Sequence, residues 1–297
     1  MNTQVSKNDN PATGDARPHV RVGLIGQGIQ LSRTPGMHRA AAAALGIDLT
    51  YDLLDTDEMS PPNPPVADLL RQAEAEGYAG LNITYPYKRE VIGSLDGLSD
   101  AARRVGAVNT VVFRDGKRFG HNTDYWGFAK GLQTGLREVD LRSVLLLGAG
   151  GAGGAVAHAL AGAGVERLMI HDLDRDGAAR LAREVEAASP GCAASAVDDL
   201  GGAAGAADGI VNATPMGMAK LPGTAIDPDL LQTRHWVADI VYFPLETALL
   251  KAARDRGCQT LSGAGMAIYQ AVRAFELFTG QVPDVAEMTT TFESFTR

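Results

Sequence analysis

The sequence predicts an α/β protein of two domains, and three observations predict it. Strand-like and helix-like segments alternate along the chain, the pattern of a mainly parallel sheet covered by helices. The apolar run Val144-Leu145-Leu146-Leu147 opens directly into Gly148-Ala149-Gly150-Gly151-Ala152-Gly153-Gly154 and an alanine-rich stretch. A buried strand followed by Gly-x-Gly-x-x-Gly and a helix is the dinucleotide fingerprint of a Rossmann domain. It falls in the middle of 297 residues, so a segment of domain size precedes it.

Taken in order, Val20 to Gly26 reads as a first strand. Pro35 to Leu45 reads as a helix, with Thr34 as N-cap and Pro35 at its first position. Leu49 to Leu54 is a second strand. A proline-rich loop at 61–65 leads into a helix through Leu69, Leu70 and Ala73, and Gly80 to Thr84 is a third strand. Val108 to Phe113 and Arg118 to Gly120 flank Asp115-Gly116, the signature of a hairpin. A helix runs from Asp124 to about Gly135. After the glycine-rich loop come strands at Arg167 to His171, Gly209 to Ala213 and Trp236 to Val241. The stretch 201–207 is a short helix or loop. Two helices close the chain after Gly263-Ala264-Gly265, apolar at Met266, Ile268, Ala271, Val272 and Phe275.

Composition limits the function. Lys plus Arg is 27 and Asp plus Glu is 35, giving a net charge of -8. A mildly acidic chain argues against nucleic acid or an anionic membrane as the main partner. Cys192 and Cys258 form no motif, and with six scattered histidines they give no metal-ligand spacing. Both cysteines read as reduced thiols of a cytoplasmic protein. No apolar run is long enough to span a bilayer. Residues 1–17 are polar without an apolar stretch, so they read as a floppy tail rather than a signal peptide.

The glycines of the central loop have separate tasks. Gly148 permits the tight turn off the strand, Gly150 admits the pyrophosphate to the backbone, and Gly153 lets the helix pack close to the strand. The helix then points free N–H groups at the phosphates. Asp172, at the end of the next strand, lies near the spacing of a ribose-binding carboxylate.

Three other patches carry candidate chemistry. In Asn82-Ile83-Thr84-Tyr85-Pro86-Tyr87-Lys88, Pro86 can start a helix, which places Lys88 in a first turn where the dipole opposes a cation. Lys88 is then either a solvated lysine or a functional one. Asp124 is either the N-cap of its helix or the carboxylate partner of Lys88, and such a pair suits a proton relay for a carbonyl–alcohol redox step. Ser32 and Thr34 precede a helix, either as caps or as an anion site.

The motifs also occur in a telling order. Ser32 to His38 gives Ser-x-Ser/Thr-Pro-x-x-His, and Asn82 to Lys88 gives Asn-x-Thr-x-Pro-x-Lys. Gly106 to Thr110 is Gly-Ala-Val-Asn-Thr and Asn122 to Asp124 is Asn-Thr-Asp. Asn212 to Met218 is Asn-Ala-Thr-Pro-Met-Gly-Met, Asp239 to Thr247 is Asp-x-x-Tyr-x-Pro-x-x-Thr, and Gly263-x-x-Met266-x-x-x-Gln270 comes last. From about Val20 to Gly280 the chain resembles the shikimate dehydrogenase family, and within it the NAD-dependent quinate/shikimate dehydrogenases. The resemblance implies hydride transfer between C3 of shikimate or quinate and C4 of a nicotinamide. It implies Lys88 and Asp124 as the catalytic pair and Ser32 and Thr34 as holders of the substrate carboxylate. Thr84, Asn109, Tyr242 and Gln270 would contact ring hydroxyls or the carboxylate. Gly148, Ala149, Gly150, Gly151, Ala152 and Gly153 would carry the pyrophosphate. Thr214, Met216, Met218 and Val241 would line the cofactor cleft, with Gly263 and Met266 near the nicotinamide; taken singly, the three methionines read equally well as core. The substrate domain would span 18–122 together with 263–297, because Gln270 must return to the substrate, and the nucleotide domain 123–262. Closure over the cleft is expected.

Two departures from the family pattern bear on specificity. Thr34 replaces the usual second serine, a change associated in the family with tolerance of quinate. His171-Asp172-Leu173-Asp174-Arg175 replaces the basic Asn-Arg-Thr of the biosynthetic members. Asp172 accepts from a free ribose 2′-OH and repels a 2′-phosphate, favouring NAD, while Arg175 leaves NADP open. The alternatives are an NADP-dependent biosynthetic shikimate dehydrogenase, a relative acting on an amino-substituted ring, and a metabolite-sensing module. The partner is a small molecule, and the state is monomer or homodimer.

Overall fold

The computed structural model describes residues 19–295. The tail expected at 1–17 lies outside these residues. The first half contains β1 (His19–Gly26), α1 (Thr34–Ala44), β2 (Asp48–Asp55), α2 (Val66–Ala75), β3 (Gly80–Ile83), β4 (Gly97–Leu98), α3 (Asp100–Val105), β5 (Thr110–Arg114) and β6 (Lys117–His121). Helix α4 (Thr123–Gly135) leads into β7 (Ser143–Leu147), α5 (Gly151–Gly162), β8 (Arg167–His171), α6 (Arg175–Ala188), β9 (Ala193–Ala196), α7 (Leu200–Ala206), β10 (Gly209–Asn212), β11 (Trp236–Asp239), α8 (Ala248–Asp255) and β12 (Gln259–Leu261). Helices α9 (Ala264–Thr279) and α10 (Val285–Ser294) end the chain.

The architecture is α/β with two six-stranded sheets, one per domain. The first has the order β2-β1-β3-β5-β6-β4. It is parallel except where the β5–β6 hairpin joins antiparallel to β3. The second, β12-β11-β10-β7-β8-β9, is parallel throughout. Strand order reverses between β7 and β10, the switch point where open α/β sheets bind ligands.

Burial follows from strand periodicity. All of β7 is buried, as a central parallel strand covered on both faces must be. Val144 and Leu146 enter one core with α5 and α6, while Leu145 and Leu147 enter the other with α7 and α8. The C-terminal helices return to the first domain. Ile268, Val272, Phe275, Met288 and Phe292 form one core with Met37 and Ala41 of α1.

Two local expectations change, at Thr34 and Lys88, and one of the two readings of Asp124 drops out. Thr34 does not cap α1; it is the first helical residue after Arg33, and no side chain caps that end. Ser32 is the residue that reaches it, its Oγ accepting from the Thr34 N–H at 3.4 Å. Asp124 does not cap α4; Asn122 does, accepting from the Tyr125 N–H at 2.9 Å. Lys88 is not in an α-helix but in the turn at 85–89 ahead of a short 3-10 helix, Glu90–Ser94. Of the stretch at 201–207, all but Ala207 belongs to the helix α7.

Candidate active site

The glycine loop turns sharply off β7. Gly148 leaves β7 at φ +104°, a conformation that side chains rarely adopt. A Cβ on Gly153 would lie 2.1 Å from the Gly148 carbonyl oxygen, so α5 meets the turn at van der Waals limit. At Gly150 and Gly151, by contrast, a Cβ would meet nothing within 4 Å. Those two glycines face open space, as a backbone awaiting a pyrophosphate would. Helix α5 starts without a side-chain cap and without an acid in its first turn, whereas Asp174, Asp199 and Thr247 cap α6, α7 and α8. Its first N–H groups are thus left for an anion.

A groove of about 250 Å³ adjoins this loop, lined by Arg89, Ala149, Gly150, Gly151, Asp172, Asp174, Gly177 and Arg180. Asp172 is stapled in place: one carboxylate oxygen accepts from the Ala149 N–H at 2.6 Å and the other from the Asp174 N–H at 2.8 Å. It shapes the glycine loop and leaves lone pairs for a ribose hydroxyl. Arg175 is ion-paired to Asp198 at 3.0 Å. The arginines on the groove are Arg180, one turn along α6, and Arg89, from the first domain. Sequence reasoning singled out neither, since an arginine outside a motif carries no signal of the direction it faces.

Lys88 and Asp124 meet. Nζ lies 2.7 Å from Oδ2, and the side chains are 23% and 12% exposed. Two anchors bring them together. The Lys88 carbonyl accepts from the Val108 N–H at 2.8 Å, seating the turn beside β5. Because Asn122 does the capping, the Asp124 carboxylate is free to face the amine rather than its own helix. The pair is recessed yet reachable, which suits proton exchange with a bound molecule.

The remaining candidates come from several elements. Ser32 and Thr34 sit on the loop after β1, and Asp55 holds that loop by accepting from the Gly28 and Ile29 N–H groups, each at 3.0 Å. Thr84 ends β3 with its N–H on the Ile25 carbonyl at 2.9 Å. Asn109 is buried and already engaged: Oδ1 accepts from the Thr123 N–H at 2.7 Å and Nδ2 donates to Thr123 Oγ1 at 2.9 Å. It ties β5 to the start of α4. Gln270 lies on α9 with Nε2 on the Ala267 carbonyl at 3.1 Å. Tyr242 is 47% exposed and tilts against the Phe292 ring, 6.1 Å away.

On the nucleotide side, Thr214 donates from both its N–H and hydroxyl to Asn212 Oδ1, at 3.0 and 2.7 Å. Met216 is half-buried, while Met218 is 41% exposed beside Leu221. Val241 is buried, its N–H donating to Asp239 at 3.0 Å. Gly263 begins α9 where a Cβ would lie 2.3 Å from the Ile240 carbonyl oxygen. Met266 packs on the core shared with β7 and α5. Asp239 is the residue whose part the motif did not reveal. It is buried and takes hydrogen bonds from Asn212, Val241 and Thr247. Burial pushes its carboxyl above the ordinary value, against those hydrogen bonds. Two separate motifs, Asn212 to Met218 and Asp239 to Thr247, are thereby joined at one carboxyl.

Among the described residues no group of three or more His, Cys, Asp or Glu could hold a metal ion, and no helix is long and apolar enough to cross a membrane.

Comparison with known proteins agrees with this geometry. Residues 24–111 match the family model of the shikimate dehydrogenase substrate binding domain, and residues 263–291 that of the shikimate 5'-dehydrogenase C-terminal domain. The quinate/shikimate dehydrogenase (NAD(+)) of Corynebacterium efficiens is 49% identical over 278 residues, covering 93% of this chain and 98% of that one. A shikimate dehydrogenase (NADP(+)) of Pseudarthrobacter chlorophenolicus is 46% identical over 273 residues, covering 91% and 93%. The solved quinate dehydrogenase from Corynebacterium glutamicum in complex with NAD superposes with a TM-score of 0.90 at 49% identity, covering 93% of this chain and 99% of that one. With an adjoining lysine–aspartate pair, a glycine loop open to a groove and relatives of this identity over nearly the whole chain, the protein belongs to the shikimate dehydrogenase family.

Proposed function

We propose that this protein is an NAD-dependent dehydrogenase that interconverts shikimate or quinate with 3-dehydroshikimate or 3-dehydroquinate. The observation that carries the reading is the contact of 2.7 Å between Lys88 and Asp124. When bound, the nicotinamide accepts or returns a hydride. In the reducing direction the Lys88 ammonium donates a proton to the C3 oxygen; in the oxidising direction its free amine takes that proton back. Asp124 accepts from Nζ, which aims the amine and balances its charge.

Ser32 and Thr34 hold the substrate carboxylate, and Thr84, Tyr242 and Gln270 meet ring hydroxyls or the carboxylate. Asn109 contributes through the second hydrogen on Nδ2 and by fixing the start of α4. Gly148 to Gly153 cradle the pyrophosphate, with Thr214, Met216, Met218, Val241, Gly263 and Met266 along the cofactor cleft. NAD is favoured over NADP by Asp172 beside the glycine loop and by the NAD named for the relatives at 49% identity. Domain limits of 18–122 with 263–297, and 123–262, are supported by the return of α9 and α10 onto α1. The assembly is a monomer or a homodimer. A cytoplasmic location accords with two buried, unpaired cysteines, Cys192 and Cys258.

The test is kcat/KM for shikimate and quinate, each with NAD and NADP, on one sample. Turnover of both substrates with NAD is the expected outcome. Turnover confined to NADP and shikimate would replace this reading with the biosynthetic one.

A further inference from the structure

We propose that Arg89, reaching across from the first domain, binds the cofactor pyrophosphate opposite the glycine loop and so links cofactor binding to the position of the Lys88 turn. The inference rests on the reading that NAD occupies the glycine-loop groove. That groove is walled on one side by Ala149, Gly150 and Gly151 and bordered by Asp172, Asp174 and Gly177. Two acids border it, and a pyrophosphate is itself anionic, so the site needs cations beyond the partial charge of one helix end. Arg89 and Arg180 are the cations on its wall. Neither guanidinium has an ion pair or side-chain hydrogen bond among the described residues. Arg175, by contrast, is held by Asp198. A guanidinium fork matches a phosphate in two parallel hydrogen bonds, a geometry that a lysine cannot reproduce.

Arg180 belongs to the same domain as the glycine loop, but Arg89 does not. It follows Lys88 directly, on a turn whose backbone is fixed at both ends. The Lys88 carbonyl takes the Val108 N–H at 2.8 Å and the Tyr87 carbonyl takes the Val91 N–H at 3.0 Å. Tension on the Arg89 side chain is therefore passed to the first domain rather than absorbed by the turn. A dinucleotide held by Gly150 and Gly151 on one side and Arg89 on the other bridges the two domains, with the catalytic amine one residue away.

The experiment is calorimetric titration of NAD and of ADP-ribose into the full chain and into Arg89→Ala and Arg89→Lys, at low and high salt, with shikimate alone as a control. In Arg89→Ala both nucleotides should bind roughly ten- to a hundredfold more weakly, the effect of losing a charge-assisted hydrogen bond. The salt dependence of binding should flatten, Arg89→Lys should recover part of the loss, and the Kd for shikimate should stay within about twofold. Nucleotide affinities within about twofold of wild type would overturn the proposal, as would an equal loss of shikimate binding, which would mean a damaged turn. A wild-type chain that binds neither nucleotide would instead overturn the cofactor reading beneath it.

Discussion

The Lys88 ammonium lies 2.7 Å from the Asp124 carboxylate, although the two residues sit on a turn and a helix of different surroundings. Asn122 is what makes the contact available, because it relieves Asp124 of capping. Replacing Lys88 by Ala should lower kcat roughly 10²–10⁴-fold, the range for losing a positioned acid–base group. Steady-state kinetics with saturating NAD check this, and a near-normal kcat would remove Lys88 from the mechanism. Asp124→Asn keeps a hydrogen-bond acceptor but loses the charge, so its kcat should fall less.

Thr34 opens α1 beside Ser32. On the proposed reading, its methyl group would narrow the space next to the substrate carboxylate. Thr34→Ser should shift the ratio of kcat/KM values toward shikimate by about tenfold, the low end of what one methyl group discriminates. An unchanged ratio would detach Thr34 from specificity.

Asp172 braces the glycine loop and lines the groove beside it. Asp172→Ala with Asp174→Arg should raise the NADP-to-NAD ratio of kcat/KM, while affinity for both falls because the Ala149 N–H loses its acceptor. Asp174 also caps α6 through the Gly177 N–H at 3.0 Å, so the variant should lose about 1 kcal/mol of stability. The cofactor ratio is the informative readout, and no change in it would refute Asp172 as the discriminator.

Gly153→Ala forces a Cβ to within 2.1 Å of the Gly148 oxygen. The contact is with backbone, which cannot rotate away. Overpacking of this kind costs about 1–3 kcal/mol, and here it would also displace α5 from the loop. Urea unfolding should show the loss and titration a weaker Kd for NAD. Gly150→Ala, with open space before it, should leave stability near wild type and weaken NAD alone.

His38 is buried against the rings of Tyr51, Phe275 and Phe278, at centroid distances of 5.0, 5.7 and 5.9 Å. Neither ring nitrogen has a hydrogen-bond partner, and burial lowers its pKa from 6.5 to about 3. Burial, with the charge of Arg104, lowers His158 to about 4. Folded values below the unfolded one mean that the unfolded chain takes up protons first. The contribution is therefore fully present above about pH 6.5 and declines as pH falls toward the folded values, at about 1.4 kcal/mol per pH unit for His38. His121 and His235 are shifted the same way. The urea midpoint should fall between pH 6 and pH 4, and less steeply in His38→Leu; parallel curves would show that His38 does not titrate with unfolding.

Local periodicity made most of the sheets legible. The run at β7 and the Asp-Gly hairpin stand out because burial and turn chemistry leave strong marks over a few residues. Strand β9, Ala-Ala-Ser-Ala, has low strand propensity and forms only because β8 offers an edge. The two-residue β4 is held by β6 in the same way. At the site, motifs located Lys88 and Asp124, but their meeting depends on tertiary placement, and so does the face that Arg89 presents. The cap misassigned at Thr34, like the cap alternative left open at Asp124, has one cause: several polar residues stand at each helix start, and propensity alone does not say which one bonds. Asn109 and Asp239 are visible as motif residues, yet their hydrogen bonds show that much of what the motifs record is internal bracing.

Helices α4 and α9 lie so close that a Cβ on Gly127 would meet the Met266 carbonyl oxygen at 2.6 Å and the Gln270 nitrogen at 2.8 Å. One of these helices carries the chain out of the first sheet toward the second, and the other carries it back. Two crossings locked side by side form one seam between the sheets, closed at Gly127 by backbone rather than by side chains. Asp124 and Gln270 both lie on that seam, so side chains from the outgoing and the returning helix share one rigid mount.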